Sequence, residues 1–186
     1  MSDYFFVKEN QITPFYAVPD EYEGAVYSTI FTFPCRPVPV FAKYKPYEKY
    51  IIPDIIMEPD FSISINIYNS LKVEQLYGSN WIHIKLIDKG EHDFMMLQLA
   101  NELDVICHEQ SEFKRFKRGN ISGMKKIVID PHKISTIPLQ KRLVFRDSAW
   151  GLHTFFHKSI VKKIESKAPN GVEFIPIEHF NETWVG

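Results

Sequence analysis

The sequence has few cysteines, no long apolar run and almost no net charge. Among its 186 residues only Cys35 and Cys107 are cysteines, and they lie far apart, outside any metal-ligand spacing. This excludes a disulfide framework as the main source of stability and predicts two reduced, buried thiols. A formal net charge of −1 excludes a positive field over the whole molecule that would attract nucleic acid or an anionic membrane.

The amino terminus lacks the features of a secretory signal. Asp3 precedes a very short apolar run, and no basic residue comes before it. The longest apolar stretches, at 81–87 and 94–100, are interrupted by polar residues and are too short to cross a bilayer. We therefore expect a cytoplasmic protein with no transmembrane segment and no membrane partner.

The composition predicts one sizeable core surrounded by much strand and loop. Hydrophobic residues make up 45% of the chain, aromatic residues 15% and charged residues only 24%. Eight of the 12 prolines fall in the first sixty residues, where each disfavours helix. The predicted fold class is α+β, with a mixed, mainly antiparallel sheet and a few short helices.

Apolar periodicity places strands and helices along the chain. Strict alternation at 61–67 predicts a strand, Ser70 is expected to cap a short helix, and 81–87 alternates as a second strand. Apolar residues at 96, 99, 103 and 106 favour a helix over 94–106. The other predicted elements are strands at 27–33, 125–130, 143–146 and 172–177, with Pro176 indicating a sheet edge, and a helix over 158–167.

Two stretches of the chain share a strand, helix, turn, strand order. One begins at Ile67 and the other at Phe156, which hints at two halves built from similar units. The polar turn at 89–93 is the predicted boundary. The halves are then 1–90, rich in proline and aromatic residues, and 91–186, packed into one compact unit.

Catalytic and metal-binding patterns are weak. The chain has seven histidines, but His153 and His157 are predicted to fall on a strand and a helix start, so they would not converge on a metal. Cys107 and His108 are neighbours that would point to opposite faces of a strand. No phosphate-binding or nucleophile-elbow motif is present. The sequence therefore predicts no catalytic residue, no cofactor and no metal.

The carboxylates of the middle of the chain are the remaining source of hydrolytic chemistry. Hydrolysis by paired carboxylates would need residues from one group of acids, and the pattern of that group is more typical of a solvated surface. Its members are Asp88, Glu91, Asp93, Glu102 and Asp104.

A basic segment and several aromatic residues are the candidate binding residues. Residues 114–126 contain six basic residues and no acid, whereas Asp20–Glu23 gathers the opposite charge. The segment fits a solvated loop, an RNA contact, or a patch that matches an acidic partner. The partner-binding candidates are Tyr44, Tyr47, Tyr50, Lys114, Arg115, Lys117, Arg118 and Trp150.

Part of the chain resembles a known family. The run DFMMLQLANELDVI at 93–106 and the residues at 111–113, 126–130 and 143–146 resemble family eleven of the immunity proteins of bacterial polymorphic toxin systems. The likeness continues through FFHKSI at 155–160 and closes with GVEFIPI at 171–177. It covers about residues 61–177. His157 and Lys158 depart from the expected helix-capping pattern.

The resemblance implies a small cytoplasmic protein that binds a cognate toxin and blocks it. It supplies no catalytic residue, and the fold it implies is firmer than the role. Two alternatives stay open: an enzyme that reverses or disarms toxin chemistry, and an RNA-binding module that uses 114–126. The sequence also leaves open a homo-oligomer.

Overall fold

The computed structural model describes residues 3–9, 15–27, 31–44, 51–71, 76–118, 121–148 and 153–180. Within them the fold class is α+β, as the sequence predicts, with mostly antiparallel strands and short helices. The elements in chain order are β1 (Tyr4–Glu9), β2 (Phe15–Ala17), α1 (Asp20–Val26), β3 (Val38–Tyr44), β4 (Ile55–Ile56), β5 (Ser62–Ser64), α2 (Ile65–Leu71), β6 (Ser79–Ile87), β7 (Glu91–Leu99), β8 (Glu102–Leu103), β9 (Glu112–Arg115), β10 (Ile121–Lys126), α3 (Pro131–Thr136), β11 (Val144–Asp147), β12 (Thr154–His157), α4 (Lys158–Glu165) and β13 (Val172–Pro176).

The chain divides into two units, each built from separate stretches of sequence. The first unit contains residues 1–8, 101–162 and 173–186, and the second contains 9–100 and 163–172. The sequence suggests a boundary near residue 90. In the structure, residues 88–90 form the turn between β6 and β7, inside the second unit.

The second unit has a six-stranded sheet in the order β2-β3-β6-β7-β5-β4. Its longest pairing joins β6 to β7, antiparallel from Ser79 opposite Leu99 to Ile87 opposite Glu91, which confirms the strand predicted at 81–87. Strand β3 runs parallel to β6. The side chains of β6 alternate in direction, so Ile82, Ile84 and Leu86 share one face, and this face is buried. It packs in a core with side chains of the neighbouring elements, among them Tyr16, Val26, Val38, Val40 and Met96.

The helix predicted over 94–106 is wrong. Strand β7 occupies most of this stretch and β8 follows it. In the sheet β7 lies between β6 and β5, and all of its side chains from Met96 to Leu99 are buried. A strand covered on both faces loses the alternation that marks a half-buried one, so its apolar spacing resembles that of a helix.

The strand predicted at 61–67 is only partly present. Strand β5 ends at Ser64, and α2 begins at the next residue. Leu71 of this helix is buried, and the Tyr68 ring packs edge-on against Trp81 with centroids 5.3 Å apart. Tertiary packing therefore overrides the strand preference of the isoleucines. Ser70 lies in the last turn and donates to the Ile67 carbonyl at 2.7 Å, so it does not cap the helix start.

The strand predicted at 27–33 is not found in the described part of that stretch. Residues 28–30 lie outside the described residues, and 31–34 carry no strand. The backbone N–H of Thr32 donates to the side chain of Gln98 at 3.1 Å rather than to a neighbouring strand. A side chain thus satisfies a group that a sheet would otherwise pair.

The first unit has a five-stranded sheet in the order β13-β1-β12-β11-β8. Strands β11 and β12 are antiparallel, and β11 runs parallel to β8. The strands predicted at 143–146 and 172–177 are confirmed as β11 and β13, and Pro176 lies on the edge strand, where a missing N–H costs no ladder bond. The core of this unit contains Tyr4, Phe6, Val105, Ile106, Phe145, Phe155 and Ile175.

The strand predicted at 125–130 is displaced. Strand β10 ends at Lys126, and Pro131 is the first residue of α3 rather than a strand terminator. The Asp130 carboxylate caps this helix by accepting from the N–H groups of His132 at 2.8 Å and Lys133 at 3.1 Å. Proline fits the first helical position because the N–H that it lacks would have no partner there.

The predicted helix over 158–167 is confirmed as α4, in which Val161 and Ile164 are buried. Both strand, helix, strand stretches seen in the sequence exist, as β5-α2-β6 and β12-α4-β13. Among the described residues, no helix has the length and apolar character needed to cross a membrane.

Candidate functional site

The basic segment of the sequence forms an antiparallel hairpin in the first unit. This basic hairpin consists of β9, residues 116–118 and β10. Arg115 lies opposite Ile121, Phe113 opposite Met124, and Glu112 opposite Lys126. Met124 is buried in the core of the unit, and Phe113 packs against the same core. The base of the hairpin is therefore anchored by apolar contacts.

The distal part of the basic hairpin is exposed and cationic. Its basic side chains Lys114, Arg115, Lys117 and Arg118 are all exposed. Phe116 lies among them with 63% of its surface exposed. No acidic residue occurs from Lys114 to Lys126 in the sequence, so the local field is positive although the whole chain is nearly neutral.

An aromatic stack supports one of the cations. The Phe113 ring packs face to face with His108, with centroids 5.3 Å apart. The Arg115 guanidinium lies 5.7 Å from the centroid of the Phe113 ring, which is a cation-π distance. Arg115 is thus held at its stem by the strand and at its head by the ring.

No protein-family model matches the chain, and no curated protein matches its sequence. The resemblance to family eleven of the immunity proteins therefore stays a prediction from the residues that carry it.

The structure brings together half of the predicted binding residues. Lys114, Arg115, Lys117 and Arg118 share the basic hairpin. Tyr44 is the last residue of β3, opposite Phe15, and its side chain lies outside the described set. The remaining candidates, Tyr47, Tyr50 and Trp150, lie outside the described residues.

Phe116 is not among the residues predicted to bind a partner. In the sequence it is only one aromatic residue within a basic run. Its position between two pairs of cations does not by itself predict exposure, because side chains alternate along a strand and an apolar residue with charged neighbours can be buried, as Ile84 is between His83 and Lys85.

The histidines singled out by spacing have separate surroundings. His153 precedes β12 and packs against Phe180, with ring centroids 5.5 Å apart. His157 ends β12, packs edge-on against Tyr4 at 5.5 Å, and its Nδ1 lies 2.8 Å from the Ser159 hydroxyl. Burial lowers the pKa of His153 to about 4 and also lowers that of His157. Among the described residues no group of three or more histidine, cysteine or carboxylate side chains could hold a metal.

The prediction of two buried cysteines is wrong for Cys35. This thiol is exposed, because it lies in a proline-flanked bend outside any strand, whereas Cys107 is partly buried. Both cysteines are free.

A cleft in the second unit collects several of the carboxylates noted in the sequence. Its volume is about 610 Å³, and its lining includes Asp54, Asp88, Glu91 and Asp93. Glu91 Oε2 lies 2.7 Å from Lys85 Nζ, and Asp93 Oδ1 lies 2.8 Å from His83 Nε2. Basic side chains thus pair with Glu91 and Asp93.

Proposed function

We propose that this chain binds and neutralises a bacterial toxin in the cytoplasm, and that the basic hairpin contacts the toxin. The observation that carries the proposal is Phe116, which is 63% exposed between two pairs of exposed cations on an anchored hairpin. Exposed aromatic and arginine side chains are the residues most often found as anchors of protein interfaces.

The two kinds of side chain have separate roles in this proposal. The cations attract an acidic surface of the toxin and accelerate its encounter with the chain. Phe116 then enters an apolar pocket of the toxin, and its desolvation supplies affinity. Met124 and Phe113 fix the hairpin beforehand, so less conformational entropy is lost on binding. Inhibition follows from coverage of the toxin surface.

The resemblance to family eleven of the immunity proteins supports the same function. It extends over both sides of the basic hairpin in sequence, through 111–113 before it and 126–130 after it. In this proposal the two stretches determine the fold, and the hairpin residues between them determine which toxin is bound.

Co-expression with the protein encoded by the adjacent gene tests the proposal. We expect the chain to protect cells from that protein and to form a complex with it that survives size-exclusion chromatography. Failure to protect cells, together with the absence of a complex at micromolar concentrations, would remove the proposal.

Substitutions in the basic hairpin test which surface is used. Phe116→Ser should weaken the complex by about 30-fold or more, as expected for an interface anchor. Lys117→Glu and Arg118→Glu should slow association and reduce its dependence on salt. Leu139→Ser and Lys162→Glu are the matched controls, because both residues are exposed elsewhere in the first unit.

The same experiments separate toxin binding from RNA binding. A basic hairpin with one aromatic residue also has the composition of a single-strand contact. Titration of the chain into a fluorescent 20-nucleotide RNA should give no saturable shift at moderate salt. A salt-sensitive shift that Phe116→Ser abolishes, without any protein complex, would favour the RNA-binding alternative.

A further inference from the structure

The second unit carries an acidic surface beside exposed aromatic rings. Between Lys8 and Arg36 the sequence has no lysine, arginine or histidine. Helix α1 lies in this stretch, and its carboxylates Asp20, Glu21 and Glu23 are exposed. The three acids stabilise the helix through its dipole, but that role does not explain the aromatic residues next to them.

Two large aromatic side chains project into solvent from the same region. Tyr27 is 57% exposed and Phe33 is 80% exposed. Tyr27 follows Glu23 by one helical turn, and its backbone N–H donates to the Glu23 carbonyl at 2.8 Å. Partial burial and the nearby carboxylates of Glu23, Glu58 and Asp60 raise the pKa of Tyr27. Its phenol ring therefore lies among negative charges.

A buried glutamine fixes the backbone that presents these rings. The Gln98 side chain is only 4% exposed, and its Nε2 donates to the Ala25 carbonyl at 2.8 Å and to the Thr32 hydroxyl at 3.2 Å. Its Oε1 accepts from the Thr32 N–H at 3.1 Å and from Asn80 Nδ2 at 3.3 Å. The Thr32 hydroxyl also donates to Ala25 at 2.8 Å.

These bonds hold the backbone at Ala25 close to Thr32. Tyr27 lies two residues beyond Ala25, and Phe33 lies one residue beyond Thr32. The rings are thus exposed on backbone that is held in place, and not on an unattached loop, so the surface is organised before any partner arrives.

We propose that the α1 surface, defined as Asp20, Glu21, Glu23, Tyr27 and Phe33, binds arginine side chains of a partner protein. A guanidinium pairs with a carboxylate through two parallel hydrogen bonds and also stacks on an aromatic face. A lysine ammonium pairs with the carboxylate but gains less from the ring, and an acidic surface is repelled. An apolar partner would leave the carboxylates desolvated and unpaired.

Peptide titrations of the full chain test this assignment without any toxin. The probes are deca-arginine, deca-lysine and deca-glutamate at low salt, followed by calorimetry and by amide shifts of the ¹⁵N-labelled chain. Deca-arginine should bind about tenfold more tightly than deca-lysine, because two aromatic faces add stacking. Its shifts should centre on residues 20–27 and 31–33, and deca-glutamate should leave these amides unchanged.

Matched variants separate stacking from charge. The double variant Tyr27→Ser and Phe33→Ser should remove the preference for arginine over lysine, whereas Glu21→Gln with Glu23→Gln should weaken both peptides. Tyr77→Ser and Glu165→Gln alter an exposed ring and an exposed acid elsewhere in the second unit and should change neither affinity. Urea midpoints close to wild type show that the variants are folded.

Three results would overturn the proposal. The first is equal affinity for deca-arginine and deca-lysine, and the second is a shift map centred on the cleft near Asp54 and Asp93. The third is concentration-dependent self-association that Arg118→Glu abolishes, since the occupant would then be the basic hairpin of a second copy. If the chain binds deca-arginine at the α1 surface but forms no complex with a toxin, only the proposed function is wrong. If it forms the toxin complex but does not prefer deca-arginine, only the proposal for the α1 surface is wrong.

Discussion

Buried polar side chains in the first unit hold together backbone segments that are far apart in sequence. Asn101 is 5% exposed, and its Nδ2 donates to the carbonyls of Lys141 at 2.6 Å and Val144 at 2.8 Å. The Ser111 hydroxyl accepts from the N–H of Val128 at 2.9 Å, close to the base of the basic hairpin. Satisfied buried amides and hydroxyls specify one arrangement of the chain, because any other arrangement leaves them unpaired.

His153 makes the stability of the chain depend on pH. Burial holds its pKa at about 4, below the value of about 6.5 expected in the unfolded chain, so the folded state binds fewer protons between these values. The stabilisation is complete above pH 6.5 and is lost as the pH falls toward 4. The free energy of unfolding should drop by about 3 kcal/mol over this range from this group alone. Urea denaturation at a series of pH values measures it.

Variants isolate the contribution of this side chain from those of the carboxylates. His153→Gln should reduce the decline between pH 6.5 and 4, because glutamine does not titrate, and should leave the part that is due to His157, whose pKa burial also lowers. His108→Gln, at an exposed histidine, is the matched control for the loss of an imidazole. If the free energy of unfolding of His153→Gln falls with pH as steeply as that of the wild type, groups other than His153 cause the pH dependence.

At the scale of elements, the turn from α4 into β13 depends on one glycine. Gly171 has a φ of +105°, and a methyl group added there would collide with the Ile55 carbonyl oxygen and the Pro53 ring. Gly171→Ala should therefore destabilise the chain by roughly 2 to 4 kcal/mol, through backbone strain and overpacking. Urea unfolding measures the loss.

Gly24 provides the matched control for this turn. It lies in α1, and nothing lies within 4 Å of the position that a methyl group would take. Gly24→Ala should stabilise the chain by up to about 1 kcal/mol, because alanine favours helix. Equal effects of the two substitutions would contradict the assignment of the turn to Gly171.

At the scale of the whole molecule, each unit needs residues from distant parts of the sequence. In the first unit β1 lies between β13 and β12 in the sheet, and it contributes Tyr4 and Phe6 to the core. In the second unit Asn170 accepts from the N–H groups of Asp54 at 2.8 Å and Ile55 at 3.2 Å. A cut between residues 100 and 101 separates both sets of partners.

The fragment 101–186 should therefore be unfolded when it is produced alone. Its sheet loses a central strand, which removes both the ladder hydrogen bonds and part of the core. Far-UV circular dichroism and amide proton dispersion check this expectation, and co-expression with the fragment 1–100 should restore dispersion. A dispersed spectrum of 101–186 alone would contradict it.

Local sequence patterns are sufficient to predict the fold class, the strand β6, the helix α4 and the edge position of the strand that contains Pro176. Each of these has a local cause: alternation with one buried face, a buried stripe of Val161 and Ile164, or a missing N–H. The exposure of the basic segment could be foreseen for the same reason, because four cations close together in sequence cannot be buried without partners.

Tertiary contacts set which elements share a sheet and which aromatic residues remain exposed. Strand β7 resembles a helix in sequence because its side chains from Met96 to Leu99 are buried on both faces of the sheet, and no local pattern records that burial. Likewise nothing near Phe33 in the sequence predicts its exposure, because Gln98, which fixes the adjacent Thr32, lies far along the chain. Contacts between distant residues set burial, and burial determines which side chains a partner can reach.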